Sequence, residues 1–173
     1  MYKNTIETVI AKQDISDVIM RYARAIDRAD GPLLHSCYWE DAIEEHANTY
    51  NGPAHDYIDG AMARLIKGDV MMHHVGNMHT EIEGDTAWVE TYLVTFARFQ
   101  KDGEPWDTLT GGRIFDKFEC REGEWKIAHR KMAFDWNRDE PASEGWCLGL
   151  FKPDHPETIM GCKGKDDLTY SRF

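Results

Sequence analysis

Alternation of apolar and polar positions is clearest between residues 70 and 99, VMMHHVGNMHTEIEGDTAWVETYLVTFARF. Val89, Thr91, Leu93, Thr95 and Ala97 alternate there with Trp88, Glu90, Tyr92, Val94 and Phe96. β-Branched and aromatic residues at a period of two predict a long strand, partly covered on both faces. Glu83-Gly84-Asp85 supplies a turn, so Met71 to Ile82 is predicted to fold back as the other arm of a hairpin. Strict alternation along that arm puts His73, Val75, Asn77 and His79 on one face and His74, Gly76 and Met78 on the other. A histidine and an asparagine on a covered strand face need polar partners or water. Their face is therefore either a satisfied polar patch in a core or the wall of a pocket, and a register change of one residue would exchange His73 for His74.

The period changes elsewhere. Asn4 and Glu7 have the spacing of a helix cap, and Ile6, Val9 and Ile10 open a helical stripe behind them. Ile15, Val18, Ile19, Tyr22, Ala23 and Ile26 continue the helical pattern until Asp30-Gly31-Pro32 ends it. Asp27 falls in the last turn, where the helix macrodipole disfavours a carboxylate by up to about 1 kcal/mol. Solvated, it costs little; turned inward beside a histidine, it would orient that ring and stabilise its cation. Pro32 starts a second short helix through Leu33, Leu34 and Trp39, and Ala42-Ile43-Glu44 is a short strand. Ile58, Met62, Leu65 and Ile66 make a third helix, capped by Asp56 and closed by Gly68.

Beyond the hairpin, turns at Lys101-Asp102-Gly103-Glu104 and Glu122-Gly123 bound two more strands, TLTGGRIFDKFEC and EWKIAHRKMAF, and Gly111-Gly112 marks a bulge or bend in the first. Parity in the second groups Ala128, Arg130 and Met132 against Ile127, His129 and Lys131, so one of His129 and Arg130 points inward. Three helices followed by a meander of long strands predict an α+β class, with a curved antiparallel sheet wrapped around the N-terminal helices over residues 1–137. Residues 138–173 are predicted to form an arm on the same domain or on a neighbouring subunit, because Trp146, Leu148, Leu150 and Phe151 are too apolar for a free tail.

With 173 residues, 42% of them apolar, the chain has the size and core of one domain. A formal net charge of −11 disfavours nucleic acid and anionic membranes as partners. No apolar run is long enough to span a bilayer and the N-terminus lacks a signal-peptide core, so a cytoplasmic protein is expected. The cysteines Cys37, Cys120, Cys147 and Cys162 are scattered and read as reduced thiols. His73 and His79 lie at opposite ends of one strand, which argues against a metal site.

The runs RYARAIDRAD, CYWEDA, HHVGN, EGDTAWVETY and GEWKIAHRKMAFDW, in this order across residues 10 to 137, resemble the SnoaL-like branch of the nuclear-transport-factor-2-like superfamily. Within that branch the likeness is to scytalone dehydratase, lindane dehydrochlorinase and bile-acid 7α-dehydratase. The resemblance implies a conical α+β barrel with a deep pocket, assembled as a trimer, and an Asp–His dyad working without a cofactor. Asp27 corresponds to the dyad acid, and His73, first in H-x-x-x-N, to the base. Arg130 corresponds to a pocket arginine that assists the leaving group, and Tyr22 to a tyrosine of the bile-acid enzyme. The further acid of that enzyme, and the second histidine of scytalone dehydratase, have no counterpart in Thr95-Phe96-Ala97-Arg98.

The expected function is removal of water or a hydrogen halide from a hydrophobic, cyclic or steroid-like compound. Isomerase or polyketide-cyclase chemistry with the same base is the alternative, as is a non-catalytic ligand-binding protein of the dioxygenase β-subunit type. Tyr38, Trp39, Tyr50, Asn77 and Trp88 are the candidate substrate-binding residues, because aromatic walls suit a flat apolar ligand.

Overall fold

A computed structural model describes residues 5–68 and 70–171. Helix α1 runs Ile6–Asp27 and α2 runs Gly31–His35; strands β1, Tyr38–His46, and β2, Tyr50–Pro53, lead to α3, Ala54–Leu65. Four long strands follow: β3, Met71–Glu83; β4, Thr86–Lys101; β5, Glu104–Arg121; and β6, Glu124–Pro141. They join one six-stranded sheet in the order β2-β1-β6-β5-β4-β3. The α+β class with a curved sheet is as expected, and no helix among the described residues is long and apolar enough to cross a membrane.

Each helix begins and ends for a local reason. The expected cap at Asn4 lies outside the described residues; the cap seen is Thr5, whose Oγ1 accepts from the Thr8 amide at 3.3 Å while Thr8 Oγ1 accepts from the Thr5 amide at 2.9 Å. The short helix α2 stops at His35, so Trp39 lies on β1, and Asp56 sits in the first turn of α3 without capping it. The turns between β4 and β5 and between β5 and β6 each hold two residues with φ in the left-handed region, Asp102-Gly103 and Glu122-Gly123, the conformation that matches the twist of a two-residue hairpin.

The sheet departs from a pure meander at β1. This strand pairs antiparallel with β2 and parallel with β6, placing Glu44 beside Arg130. Ile15, Val18, Ile19, Tyr22 and Ile26 of α1 pack on Val89, Leu93, Ile114, Phe118 and Ile127 of the inner sheet face, each buried isoleucine contributing roughly 1.5–3 kcal/mol of transfer free energy.

Two bulges overturn strict strand parity. Val75 pairs with Leu93 and Met78 with Thr91, so Gly76 and Asn77 together oppose one residue of β4. His73, Val75, Met78, Thr80 and Ile82 then face inward, while His74, Asn77 and His79 are exposed. In β6, Lys117 pairs with His129 but Phe118 with Ile127, leaving Ala128 as the extra residue. Ile127 and Arg130 therefore both point into the core, which alternation forbids. The predicted irregularity at Gly111-Gly112 is also present, with its extra residue, Asp135, on the facing strand. The glycines are needed because the Trp136 ring lies over Gly111 and the Ala133 carbonyl abuts Gly112.

The chain after β6 returns to the body of the domain. Lys165 Nζ and Tyr170 Oη both donate to Asp30 Oδ2, at 2.6 and 2.7 Å, the Gly164 amide donates to the Arg28 carbonyl at 2.7 Å, and Lys163 Nζ donates to the Leu65 carbonyl.

Candidate active site

The last turn of α1 and the first residues of β3 meet at one carboxylate. Asp27 Oδ2 accepts the His73 backbone N–H at 2.9 Å, and Oδ1 accepts from Nδ1 of the same histidine at 2.6 Å. Both side chains are mostly buried, with 12% and 10% of their surface exposed. An acceptor at Nδ1 selects the tautomer with the proton there, so Nε2 carries the lone pair. Nε2 makes no hydrogen bond among the described residues, and His73 lines a cavity of about 580 Å³.

The walls of this cavity are largely apolar. Tyr22 and Ile26 of α1, Tyr57, Ala61 and Leu65 of α3, and Leu93, Thr95, Thr110, Met132 and Phe134 of the sheet enclose it, and Arg64, Arg98 and Lys163 also line it. Small residues, Ala61, Ala97 and Gly112, are among those bordering it between helices and sheet. Its size and apolarity suit a compact hydrophobic ligand.

Behind Tyr22 lies a buried charged row. Arg130 is fully buried and donates through Nε and Nη2 to the two oxygens of Asp116, each at 2.7 Å. Its guanidinium carbon sits 3.9 Å from the centre of the Tyr22 ring and 5.6 Å from that of Tyr38. Burial works against the Arg130 charge, and the Asp116 carboxylate outweighs it, holding the guanidinium well above its ordinary pKa. Burial pushes the Asp116 carboxyl up, with Arg130 opposing, and raises the Tyr22 phenol so that it stays protonated. Glu44, also fully buried, accepts from Tyr38 Oη at 3.0 Å.

Of the residues singled out in the sequence, Asp27, His73 and Tyr22 converge at the cavity. Arg130 does not line it; the guanidinium meets Tyr22 and Asp116 instead. Tyr38 is buried in the core beneath Arg130, and Trp39 donates to the Glu119 carbonyl at 2.9 Å with Arg121 and Lys126 over its ring. Tyr50 does not line the cavity; its ring centre lies 5.4 Å from that of Tyr57 and its backbone pairs with His46, both of which do. Asn77 and Trp88 lie exposed on the outer face, Asn77 because of the bulge and Trp88 because it alternates with inward Ala87 and Val89.

Sequence reasoning missed Tyr57, Arg64, Arg98, Lys163 and His46, all of which line the cavity. For His46 a signal was present, since Ala42, Glu44 and His46 share one face of β1 by simple alternation. Its Nδ1 lies 3.3 Å from Glu44 Oε1, and its ring stacks on Tyr57 with centres 5.0 Å apart.

Solved structures share this architecture. A candidate scytalone dehydratase from Novosphingobium aromaticivorans DSM 12444 is 17% identical, with 79% of this chain and 91% of that one covered at a TM-score of 0.69. A hexachlorocyclohexane dehydrochlorinase, LinA-type3, from Novosphingobium barchaimii LL02 is 16% identical over 78% of this chain and 93% of its own, with a TM-score of 0.68. A candidate aromatic ring hydroxylase, also from Novosphingobium aromaticivorans, is 23% identical over 81% and 96%, with a TM-score of 0.68. No curated protein sequence matches this chain. The profile of the SnoaL-like domain matches residues 7–131, which run from the second residue of α1 through the first eight residues of β6 and include every residue of the Asp27–His73 and Arg130–Asp116 pairs, and the chain belongs to that SnoaL-like family within the nuclear-transport-factor-2-like superfamily.

Proposed function

We propose that the protein is a lyase that removes water or a hydrogen halide from a hydrophobic ring compound by general-base β-elimination, with no cofactor taking part. The observation that carries this reading is the buried Asp27–His73 pair, which leaves Nε2 as a free base at the wall of an apolar cavity. Nε2 takes a C–H proton made acidic by a neighbouring carbonyl, the C–H electron pair becomes the new double bond, and the leaving group departs with its bonding pair. Asp27 holds the ring and stabilises the imidazolium that forms. The Tyr22 phenol, kept protonated by burial, donates to the enolate oxygen, and Arg130 acts through Tyr22 by fixing its ring. Family membership, and the dehydratase and dehydrochlorinase names borne by proteins of the same fold, support the same class of reaction.

The test is ultraviolet detection of conjugated enone from β-hydroxy ketones, monocyclic to steroidal, and of halide release from chlorinated rings. We expect the wild type to form product and His73→Ala to lose nearly all turnover. Turnover surviving in His73→Ala overturns the assignment of the base. Solvent deuterium entering the ketones without loss of a group makes the protein an isomerase working with the same dyad.

A further inference from the structure

His73, Thr95 and Thr110 stand in one row across the sheet. His73 of β3 pairs with Thr95 of β4, Thr95 pairs with Thr110 of β5, and all three side chains line the cavity. Strand β3 is an edge of the sheet, and the His73 N–H goes to Asp27 rather than to β4. His73 and Thr95 therefore face each other as a non-hydrogen-bonded pair, the narrow kind, with Cα atoms about 4.5 Å apart and side chains close together. The same alternation follows from Val70, three residues earlier, whose carbonyl accepts the Arg98 amide at 2.9 Å. Asp27 draws Nδ1 of His73 toward the free edge of the sheet, so Nε2, on the far side of the ring, faces inward over β4.

Threonine is common in strands for its shape alone, so the surroundings decide what the Thr95 hydroxyl does. The neighbouring positions of the inner face are apolar, with Val75, Leu93, Gly112 and Phe134 in the row on one side and Met71 and Ala97 on the other. Thr95 Oγ1 makes no hydrogen bond among the described residues. Two other threonines provide the contrast. Thr91, on the same strand and face, does not line the cavity, and its hydroxyl is buried and unbonded. Thr110 Oγ1 already accepts from Asn137 Nδ2 at 2.9 Å and stands one strand farther from the base. Of the three, Thr95 brings a hydroxyl with its donor and acceptors uncommitted beside Nε2.

Resting on the lyase reading, we propose that Thr95 is the leaving-group site: its hydroxyl donates to the departing oxygen of a β-hydroxy carbonyl substrate and holds that oxygen within reach of His73 Nε2. The substrate lies between helix and sheet, its carbonyl oxygen at Tyr22 of α1 and its hydroxyl at Thr95 of β4. The proton balance then closes on one histidine. Nε2 takes the proton from the carbon next to the carbonyl, the C–O bond breaks with its electron pair going to oxygen, and Nε2 gives the same proton to the leaving hydroxide, which departs as water. Thr95 keeps its own proton throughout. A carbon-bound chlorine is a poor hydrogen-bond acceptor and leaves as a stable anion, so this contact fits the site to alcohols rather than halides.

Two ring ketones that differ only in carrying a β-hydroxyl or a β-chloride provide the test. Thr95→Val, which keeps the side chain's shape and removes its hydroxyl, is expected to lower kcat/KM for the hydroxy ketone by about 10–100-fold and to leave the chloro ketone within about threefold. Thr95→Ser is expected to restore the hydroxy ketone, and Thr91→Val to leave the ratio of the two substrates unchanged. Equal losses on both ketones in Thr95→Val, no loss on either, or no restoration by serine overturns the proposal. Binding gives a readout that does not need turnover. Decalol and chlorodecalin lack the acidic C–H and cannot be eliminated, and titration calorimetry is expected to show Thr95→Val weakening the alcohol several-fold while the chloride binds as before. An unchanged ratio of these affinities overturns the proposal whether or not the protein turns over. Elimination from neither ketone by the wild type overturns the lyase reading, and the calorimetric ratio tells that failure from a misplaced hydroxyl contact.

Discussion

Asp27 is bonded twice by the same residue, its two oxygens taking the backbone N–H and the ring Nδ1–H of His73 at 2.9 and 2.6 Å. The carboxylate thus fixes both the strand's position against α1 and the tautomer of the ring. Replacing it by asparagine keeps one acceptor for the backbone amide but turns an NH₂ group toward Nδ1, which reverses the tautomer and leaves Nε2 protonated. Asp27→Asn is expected to lower kcat by about 10³–10⁴-fold while the protein stays folded. Steady-state kinetics beside a urea titration would check this, and a variant with wild-type kcat would remove Asp27 from the mechanism.

Arg130 holds a fold together at a place where the family resemblance expects a pocket group. Arg130→Met leaves the buried Asp116 carboxylate without its cation and is expected to cost about 3–5 kcal/mol in stability. The double variant Arg130→Met with Asp116→Leu should recover much of that loss, because no unpaired charge is left by the pair itself. Urea denaturation of both proteins decides it; a single variant as stable as the wild type would show that the ion pair is not what the core relies on.

The C-terminal segment is held by carboxylates, so its attachment depends on pH. Asp167 is held down to about 2, first by the Thr169 hydroxyl and then by backbone amides and Arg28. At Asp30 burial works the other way, and the Lys165 ammonium and Tyr170 hydroxyl outweigh it, so the carboxyl also lies below its ordinary value. Groups depressed in the folded state stabilise it above their unfolded pKa, near 3.9, and that contribution is lost as pH falls through the folded values. Residues 162–171 are therefore expected to detach between about pH 4 and pH 2, seen as faster amide exchange there than in β4 and β5. Asp30→Asn should loosen the same segment at neutral pH, and equal protection in both proteins would contradict the assignment.

Gly112 is the tighter of the two bulge glycines because what a Cβ would meet is backbone, the Ala133 carbonyl, whereas at Gly111 it is the ring of the half-exposed Trp136. A ring can rotate away and a paired strand cannot. Gly112→Ala is expected to cost about 1–3 kcal/mol and Gly111→Ala less, measured by thermal unfolding. The reverse order would place the constraint in the ring instead.

Much of the fold was legible from periodicity. The stripe Ile15, Val18, Ile19, Tyr22 and Ile26 gave α1 its buried face, and the turns at Gly84, Gly103 and Gly123 set the strand boundaries, because both depend on residues near in sequence. Asp27 and His73 could be singled out for a similar reason: a carboxylate at a helix C-terminus and a histidine near the start of an apolar strand are locally anomalous.

What the chain alone could not determine was which side chains face the same space. Alternation is a rule about a regular strand, and a bulge resets it without any fixed composition, so Asn77 reads as a companion of His73 and yet lies on the opposite face, while Ile127 and Arg130 read as opposites and lie on the same one. The parallel pairing of β1 with β6 joins residues about 85 positions apart, Glu44 with Arg130, and no short-range pattern encodes it. The sequence by itself determined the elements and the chemistry available to them; only the tertiary structure decided that Arg130 would be sealed against Asp116 behind Tyr22 and that His46 would share a cavity with His73, because those outcomes depend on the register between strands rather than on the period within one.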